Sequence, residues 1–280
     1  MEVTPVATTG PGSATEQTRR EIQRGCDLII AAGGDGTINE VANGMLHSGV
    51  PLAILPGGTA NVLAREMRLP RHMGNAAAQI PELEACRIAA GMVQINGSEE
   101  RCFLCMAGAG LDAEIVARVH PGFKAMAGKL AYYAAGFGHV FERLREFDVI
   151  ADGKRYPASF ALISRVRNYG GDLEIARGAS LLRDDFEVVL FRGTASVRYL
   201  RYLVGVAVGG IARMEGCTVL RARSVTCEQP AGNGISVQLD GELAGSLPIA
   251  ARILPDAVTL LAPAAYVARE RAHADVVACV

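Results

Sequence analysis

The stretch that most constrains the fold is an apolar run followed at once by a glycine turn and a helical pattern, over residues 28–46. The apolar run at 28–32 predicts a strand buried on both faces, as in a parallel sheet. The turn reads Gly-Gly-Asp-Gly-Thr at 33–37, and its glycines allow positive φ and close approach of another molecule. Apolar residues then recur at helical spacing, at Ile38, Val41, Ala42, Met45 and Leu46. A glycine turn at a helix N-terminus predicts an anion site.

Asp35, inside this turn, changes what the site is expected to bind. A carboxylate beside a phosphate repels it unless a cation or a hydroxyl group lies between them. Asp35 therefore indicates Mg²⁺-nucleotide chemistry or contact with a sugar hydroxyl. When this turn is considered alone, a glycine-rich turn with a solvated aspartate remains the alternative, because short motifs often recur by chance.

A second strand and glycine turn follow directly. Residues 51–56 predict another short buried strand, which leads into Gly-Gly-Thr-Ala-Asn at 57–61 and a helical segment over 62–67. Two consecutive strands that each end in Gly-Gly and open a helix place both turns at the carboxyl edge of one sheet, where open α/β sheets bind ligands. Thr59 and Asn61 add neutral polar groups suited to a nucleotide. The pair of turns therefore predicts a nucleotide site.

These motifs carry a family resemblance. The chain reads GGDGTINEVANG and then PLAILPGGTANVLARE. The pair resembles the nucleotide-binding half of the diacylglycerol kinase catalytic domain family, which contains bacterial lipid kinases and sphingosine kinases and is distantly related to NAD kinases. The GGDGT core is shared with those relatives, whereas PGGTAN indicates lipid kinases. The resemblance covers nearly the whole chain and implies an NAD-kinase-like α/β nucleotide domain over 1–85, a mainly-β sandwich domain over 86–262 and a tail over 263–280.

The N-terminal region departs from the family pattern. Family members begin with a first strand and an Asn-Pro-x-Gly turn, and both are absent from this sequence. Thr8 falls where the family places a nucleotide-contacting threonine. Ser13 and Glu16 predict a capping box for a helix that ends near residue 24. The missing strand keeps open the alternative of a truncated, catalytically silent protein that binds nucleotide or lipid.

The pattern changes near Ala85 from strand-helix units to hairpins. Runs at 87–95 and 101–106 flank Asn96-Gly97, and runs at 147–151 and 158–164 predict a second hairpin around Asp152-Gly153. Further strands are predicted at 186–191, 217–225, 234–239, 248–254 and 257–261, as in a sandwich, together with apolar helices at 124–144 and 197–208. The tail after Pro263 predicts a short strand or helix. A Gly-x-Gly-x-x-Ala segment at 108–113 imitates a dinucleotide fingerprint, but its strand belongs to a hairpin.

The resemblance also implies the site residues. Nucleotide contacts are expected from Thr8, Gly33, Gly34, Asp35, Gly36, Thr37, Asn39, Gly57, Gly58, Thr59 and Asn61. An Asp-Gly-Glu turn is expected to face the GGDGT turn and to supply the general base from Asp240 or Glu242, although spacing alone favours a solvated hairpin end. The implied cofactors are ATP and Mg²⁺, with Asp35 as a metal ligand. Asp184 and Asp185 resemble part of a second, structural Mg²⁺ site, in which Arg183 replaces the first aspartate.

Composition limits the partners and the compartment. The net charge of −1 argues against nucleic acid, and there is no apolar run of transmembrane length and no signal-peptide pattern. Seven cysteines indicate reduced thiols, so we expect a cytoplasmic protein that works peripherally at the inner membrane face. The CxxC formed by Cys102 and Cys105 lacks the second pair that zinc would need, which favours core packing.

Together, these features predict transfer of the ATP γ-phosphate to a hydroxyl group of a diacylglycerol-like or sphingoid lipid. The expected partners are nucleotide and a lipid substrate at the membrane surface, and a homodimer is left open. An NAD kinase is the enzymatic alternative, against which PGGTAN speaks.

Overall fold

The computed structural model describes residues 2–111, 113, 144–170, 173–194, 202, 205, 214–230 and 234–278. The helices predicted at 124–144 and 197–208 lie almost entirely outside these residues. The helices are α1 Ser13–Gln23, α2 Asp35–Met45, α3 Val62–Glu66, α4 Met73–Gln79 and α5 Ala264–Ala278, with a 3₁₀ turn at Ile80–Glu82. The strands are β1 Ile29–Gly33, β2 Pro51–Pro56, β3 Glu84–Ile95, β4 Arg101–Phe103, β5 Met106–Gly110, β6 Phe147–Ala151, β7 Lys154–Ala158, β8 Phe160–Ser164, β9 Asn168–Gly170, β10 Leu173–Glu174, β11 Phe186–Phe191, β12 Cys217–Ala222, β13 Ser224–Cys227, β14 Ser236–Leu239, β15 Glu242–Ser246 and β16 Ile249–Ala262.

One sheet of eight strands runs through both predicted domains. Its order is β1-β2-β16-β13-β6-β7, and β3 pairs with both β16 and β4. β1 and β2 are parallel, with Gly33 opposite Pro56. The last strand, β16, runs parallel to β2, with Leu260 opposite Leu52, and antiparallel to β3 and β13. The end of the chain thus returns to the N-terminal sheet, and the domain boundary near Ala85, at the start of β3, stays a prediction.

A second sheet completes the sandwich. Six antiparallel strands lie in the order β12-β11-β8-β5-β14-β15. A buried apolar cluster contains residues from both sheets, and within it the rings of Phe103 on β4 and Phe186 on β11 stack with centroids 5.6 Å apart. The predicted fold class, an α/β domain followed by a mainly-β sandwich, is confirmed.

Three hairpins turn on an Asx-Gly pair, namely Asn96-Gly97, Asp152-Gly153 and Asp240-Gly241. In each pair both residues have positive φ, at 46° and 75°, 43° and 82°, and 47° and 85° respectively. This is the conformation of a type I′ turn, which matches the twist of the flanking strands and suits Asn-Gly and Asp-Gly. The hairpin predicted around the first pair is confirmed. Around the second pair the turn is as predicted, but the returning strand is β7 at Lys154–Ala158, and the predicted run at 158–164 forms β8 in the other sheet. The third pair joins β14 to β15.

The capping box predicted at Ser13 and Glu16 is wrong. The N-cap of α1 is Gly12, without a side-chain cap, and the Ser13 hydroxyl oxygen instead accepts a hydrogen bond from the Thr9 N–H. The carboxylate of Glu40, on α2, accepts a hydrogen bond of 2.7 Å from the Gly12 N–H. A carboxylate from the neighbouring helix α2 thus accepts a hydrogen bond at the N-terminus of α1. The local sequence around α1 could not predict this contact.

The remaining expectations concern the tail and the cysteines. The tail forms the helix α5, and no helix among the described residues is both long and apolar enough to cross a membrane. Cys102 and Cys105 are buried in the core, and burial raises the pKa of both thiols. Within the described ranges, no group of three or more side chains could hold a metal ion. Core packing therefore accounts for the CxxC pair.

Candidate active site

The two glycine turns lie side by side and contact each other at the carboxyl ends of β1 and β2. The Gly57 N–H donates a 2.8 Å hydrogen bond to the Gly33 carbonyl. A Cβ on Gly58 would lie 2.6 Å from the Gly34 Cα, closer than real Cβ contacts come. Gly58 is therefore required by contact between the turns themselves. The sequence had suggested only close approach by a ligand.

The first turn of α2 gathers donor groups at this edge of the sheet. α2 has its N-cap at Gly34 and begins at Asp35. The first N–H groups of a helix have no partner within it, and they carry the positive end of the helix dipole. Beside them, residues 57–60 of the second turn are exposed. The two turns thus present an accessible surface suited to phosphate groups.

Asn61 braces the second turn from within. Its side-chain oxygen accepts a 2.8 Å hydrogen bond from the Gly58 N–H, and its amide donates one of 2.7 Å to the Gly58 carbonyl. The residue has φ of 48°, a left-handed conformation that asparagine tolerates well. Its amide was predicted to contact the nucleotide, but here it shapes the turn. Thr59 on this turn and Thr8, in the segment before α1, are exposed.

Asp35, the first residue of α2, is half-buried. It accepts a hydrogen bond of 3.4 Å from the Leu63 N–H in α3. Burial, followed by the nearby charge of Asp240, raises the pKa of Asp35 to about 6. A desolvated carboxylate beside a second buried acid is a place where a cation relieves an electrostatic cost. Mg²⁺ typically takes one or two carboxylates with phosphates and waters, so Asp35 fits the expected ion.

Asp240 is a buried anchor. Its carboxylate accepts backbone N–H groups of Leu104, Cys105 and Met106 at 2.8–3.0 Å and the amide of Asn39 at 2.9 Å. Burial raises the pKa of Asp240, and these hydrogen bonds act in the opposite direction. With 6% of the residue exposed and its oxygens occupied, Asp240 fixes the bend between β4 and β5.

Glu242, two residues further on, faces the GGDGT turn. It is exposed at the start of β15, and its carboxylate lies against Gly36. A Cβ on Gly36 would lie 2.2 Å from the Glu242 Oε1. A larger residue at position 36 would make this carboxylate move away from the first turn of α2. The Asp-Gly-Glu turn and the GGDGT turn therefore adjoin.

Two asparagines on α2 join the nucleotide turn to β4. Asn39 is buried and donates hydrogen bonds to the Cys102 carbonyl, at 2.8 Å, and to Asp240. Asn43 accepts the Cys102 N–H at 2.8 Å. Asn39 was predicted to bind nucleotide; its amide donates to the Cys102 carbonyl and to Asp240, and the nucleotide contact stays a prediction. Asn43 was missed, although its spacing of four from Asn39 places both on one face of the helix.

Arginine side chains contact the loop around Asp185, where the second Mg²⁺ site was expected. Burial raises the pKa of Asp185, but the guanidinium groups of Arg183 and Arg221, at 2.8 and 3.1 Å, outweigh it and hold that pKa below its usual value. Arg165 is fully buried and donates to main-chain carbonyls of this loop, including those of Arg183 and Asp185. Arginines thus pair with the Asp185 carboxylate that a cation would need, Asp184 is exposed, and a second Mg²⁺ site at these two residues stays a prediction.

Two protein-family models match the chain. The diacylglycerol kinase catalytic domain matches residues 1–93, and the YegS C-terminal NAD kinase beta sandwich-like domain matches residues 105–262. The two matches follow the order of the α/β part and the sandwich.

Relatives and solved structures agree with these models. The chain is 32% identical over 254 residues to a diacylglycerol kinase of Bacillus subtilis (strain 168), covering 88% of this chain and 81% of that protein. It is 28% identical over 248 residues to a diacylglycerol kinase of Mycobacterium tuberculosis (strain ATCC 25618 / H37Rv), covering 86% and 79%. A crystal structure of a diacylglycerol kinase from Bacillus anthracis str. Sterne has the same fold, with a TM-score of 0.71 at 24% identity, covering 93% of this chain and 85% of that one.

Proposed function

Because the chain belongs to the diacylglycerol kinase catalytic domain family, a family of kinases, we propose that it transfers the γ-phosphate of ATP to a hydroxyl group of a diacylglycerol-like or sphingoid lipid. The observation that carries this proposal is the contact of the Glu242 carboxylate with Gly36. An exposed carboxylate at a glycine-built helix N-terminus brings a proton acceptor to the place where a terminal phosphate would lie. Phosphoryl transfer needs little more than such alignment and stabilisation of charge.

The nucleotide phosphates would lie on the two glycine turns. The N–H groups at the start of α2 and the exposed second turn supply hydrogen bonds and a positive dipole without a side-chain cation. Asp35 would hold Mg²⁺, with Asp240 as a more distant charge. When bound, Mg²⁺ would neutralise charge that develops on the transferred phosphoryl oxygens. Thr8 and Thr59, both exposed, are retained as proposed nucleotide contacts.

We assign the general base to Glu242. Its carboxylate is accessible, whereas the Asp240 oxygens already accept hydrogen bonds from three backbone N–H groups and an amide. Glu242 would accept the proton of the lipid hydroxyl as that oxygen attacks the γ-phosphorus and the bond to the ADP oxygen breaks. Asp240 would hold the turn on which Glu242 is placed. Since the acceptor is a lipid, we further propose that the reaction takes place at a membrane surface.

The test is a transfer assay with separate acceptors. The purified full chain would receive radiolabelled ATP and Mg²⁺ with mixed micelles of diacylglycerol, with a sphingoid base, or with NAD. We expect label in the organic phase with one of the lipids and its loss in Glu242→Gln. Label on NAD would instead indicate an NAD kinase. Binding of ATP without transfer to any acceptor would indicate a silent binding protein.

A further inference from the structure

Four charged side chains, two buried glutamates and two partly exposed arginines, form a network at the far end of α3. We call this network the charge ring, and its members are Glu66, Arg167, Arg269 and Glu270. The guanidinium groups of Arg167 and Arg269 each lie 3.1 Å from a Glu270 oxygen, and Arg269 lies 3.8 Å from a Glu66 oxygen. The second oxygen of Glu66 accepts a hydrogen bond of 2.9 Å from the backbone N–H of Arg167, and this bond closes the ring.

The charge ring joins three segments that are remote in sequence. Glu66 ends α3, Arg167 directly precedes β9 of the β-rich part, and the other two members lie on α5. α3 has five residues, and the N–H of Leu63 near its other end donates to Asp35. This short helix therefore runs from the proposed Mg²⁺ ligand to the charge ring. A shift of Glu66 would be passed along α3 to Asp35 and to the turn at 57–61.

The chemistry of the charge ring fits a role in fixing position. Glu66 is 5% exposed and Glu270 is fully buried. Burial, and then the charge of Glu270, raises the pKa of Glu66, while hydrogen bonds from the Asn168 and Arg167 N–H groups oppose the rise. Apolar side chains of similar volume often join segments at lower cost than buried ions. Directional charged hydrogen bonds, however, define one relative placement of the joined segments.

We propose that Glu66 and its partners in the charge ring are positioning residues for phosphoryl transfer, and that α5 is thereby part of the support of the nucleotide turn. The charge ring holds α3 against the β-rich part that carries Glu242, so it sets the placement of Asp35 and residues 57–61 relative to the base. This inference rests on the proposed kinase function. It adds that the C-terminal helix contributes to nucleotide affinity without touching the nucleotide.

The test compares Glu66→Gln with a matched variant, Glu187→Gln. Glu187 is also a buried carboxylate that accepts a backbone N–H, that of Gly178, but it lies on β11, outside the charge ring. Hydrogen exchange would be measured over residues 57–63 in the nucleotide-free protein, and ATP affinity by calorimetry. We expect Glu66→Gln to speed exchange there and to weaken ATP binding by about tenfold, the order found when a network between two sites is broken. Glu187→Gln should change neither beyond about twofold, even where its thermal midpoint falls.

Arg269→Ala gives a second route if Glu66→Gln does not fold, because the Arg269 side chain is 24% exposed and its loss leaves a milder defect. Unchanged exchange and ATP affinity in both charge-ring variants would overturn the inference. Equal effects in Glu187→Gln would overturn it as well, since they would indicate general loosening. Should the wild type bind no ATP, the proposed function fails, whereas the exchange comparison still decides whether the charge ring holds the turn.

Discussion

Replacing Gly36 by alanine tests the proposed base directly, because it changes one methyl group at the contact with Glu242. The new Cβ would lie 2.2 Å from the Glu242 Oε1 and 2.8 Å from its Cδ. Cβ contacts below 3.0 Å are essentially never found, so the carboxylate oxygen must retreat by about 0.8 Å. The obstructing group is the end of a flexible, exposed side chain, so the retreat itself has little energetic cost. The fold should therefore survive while the base is displaced.

The magnitude follows from the size of that displacement. A misplacement of about 1 Å at reacting groups can lower turnover by about 100-fold, or about 2.7 kcal/mol of activation free energy. Stability should move the other way, since alanine inside a helix is favoured over glycine by about 0.5–1 kcal/mol. Steady-state transfer of label to lipid and urea unfolding would be measured on the same preparation. We expect kcat to fall by about 100-fold with the free energy of unfolding unchanged or higher.

Gly91→Ala is the matched control. Its Cβ would also lie 2.2 Å from its obstacle, but that obstacle is the ring of Phe103, which is fully buried. A buried ring cannot retreat cheaply, so this variant should lose about 1–3 kcal/mol of stability while its folded fraction keeps normal turnover. Wild-type kcat in Gly36→Ala would refute the assignment of Glu242. A comparable loss of turnover per folded molecule in Gly91→Ala would show that the assay reports general distortion.

Three further predictions concern the carboxylates. Glu242→Gln should lower kcat by about 10²- to 10⁴-fold with an unchanged thermal midpoint. Asp240→Asn should instead lower the free energy of unfolding by about 3 kcal/mol, because the amide places an NH₂ group against backbone N–H donors. Kinetics and urea unfolding of both variants would separate the two roles. For Asp35, the pKa raised to about 6 gives stability that is complete below the unfolded value and lost as pH rises through the folded one. Asp35→Asn should therefore be more stable than the wild type by about 2 kcal/mol at neutral pH without metal, with the gain fading between about pH 6 and about pH 4 in urea unfolding; an undiminished gain at low pH would contradict it. Replacing EDTA by Mg²⁺ should shift the thermal midpoints of the nucleotide-free wild type and of Asp185→Asn equally, because Arg183 already neutralises Asp185; a midpoint raised by Mg²⁺ in the wild type but not in Asp185→Asn would contradict it.

Local rules predicted the parts of the fold that depend on a few adjacent residues. Asn96-Gly97 and Asp152-Gly153 favour one turn type by their own backbone preferences, so these turns could be placed from sequence. The apolar runs that end in Gly33 and Gly57 likewise indicated two parallel strands. Even there the reason for the glycines was incomplete, because the contact between the turns becomes visible only when the strands are paired.

Contacts between residues that are distant in sequence could not be predicted from local sequence patterns. The Glu40 carboxylate accepts a hydrogen bond at the N-terminus of α1, whereas the sequence spacing had predicted that the Ser13 side chain would cap this helix. From the sequence alone, Asp240 and Glu242 could not be distinguished as the general base, because both lie on one turn. The burial of Asp240 depends on the bend at 104–106, more than a hundred residues earlier in the chain, whereas Glu242 is exposed. Only the folded environment separates an anchored carboxylate from an accessible one.

The shared strand β16 has a mechanical consequence. β16 pairs with β2 of the α/β part and with β3 and β13 of the β-rich part, so a hinge motion between the two parts would have to bend β16 or break some of these backbone pairs. The pairing register of β16 with β3 shifts between Leu254 and Val258, so β16 would bend most easily there. Strand β16 thus limits how far the α/β part and the β-rich part can move apart when substrates enter.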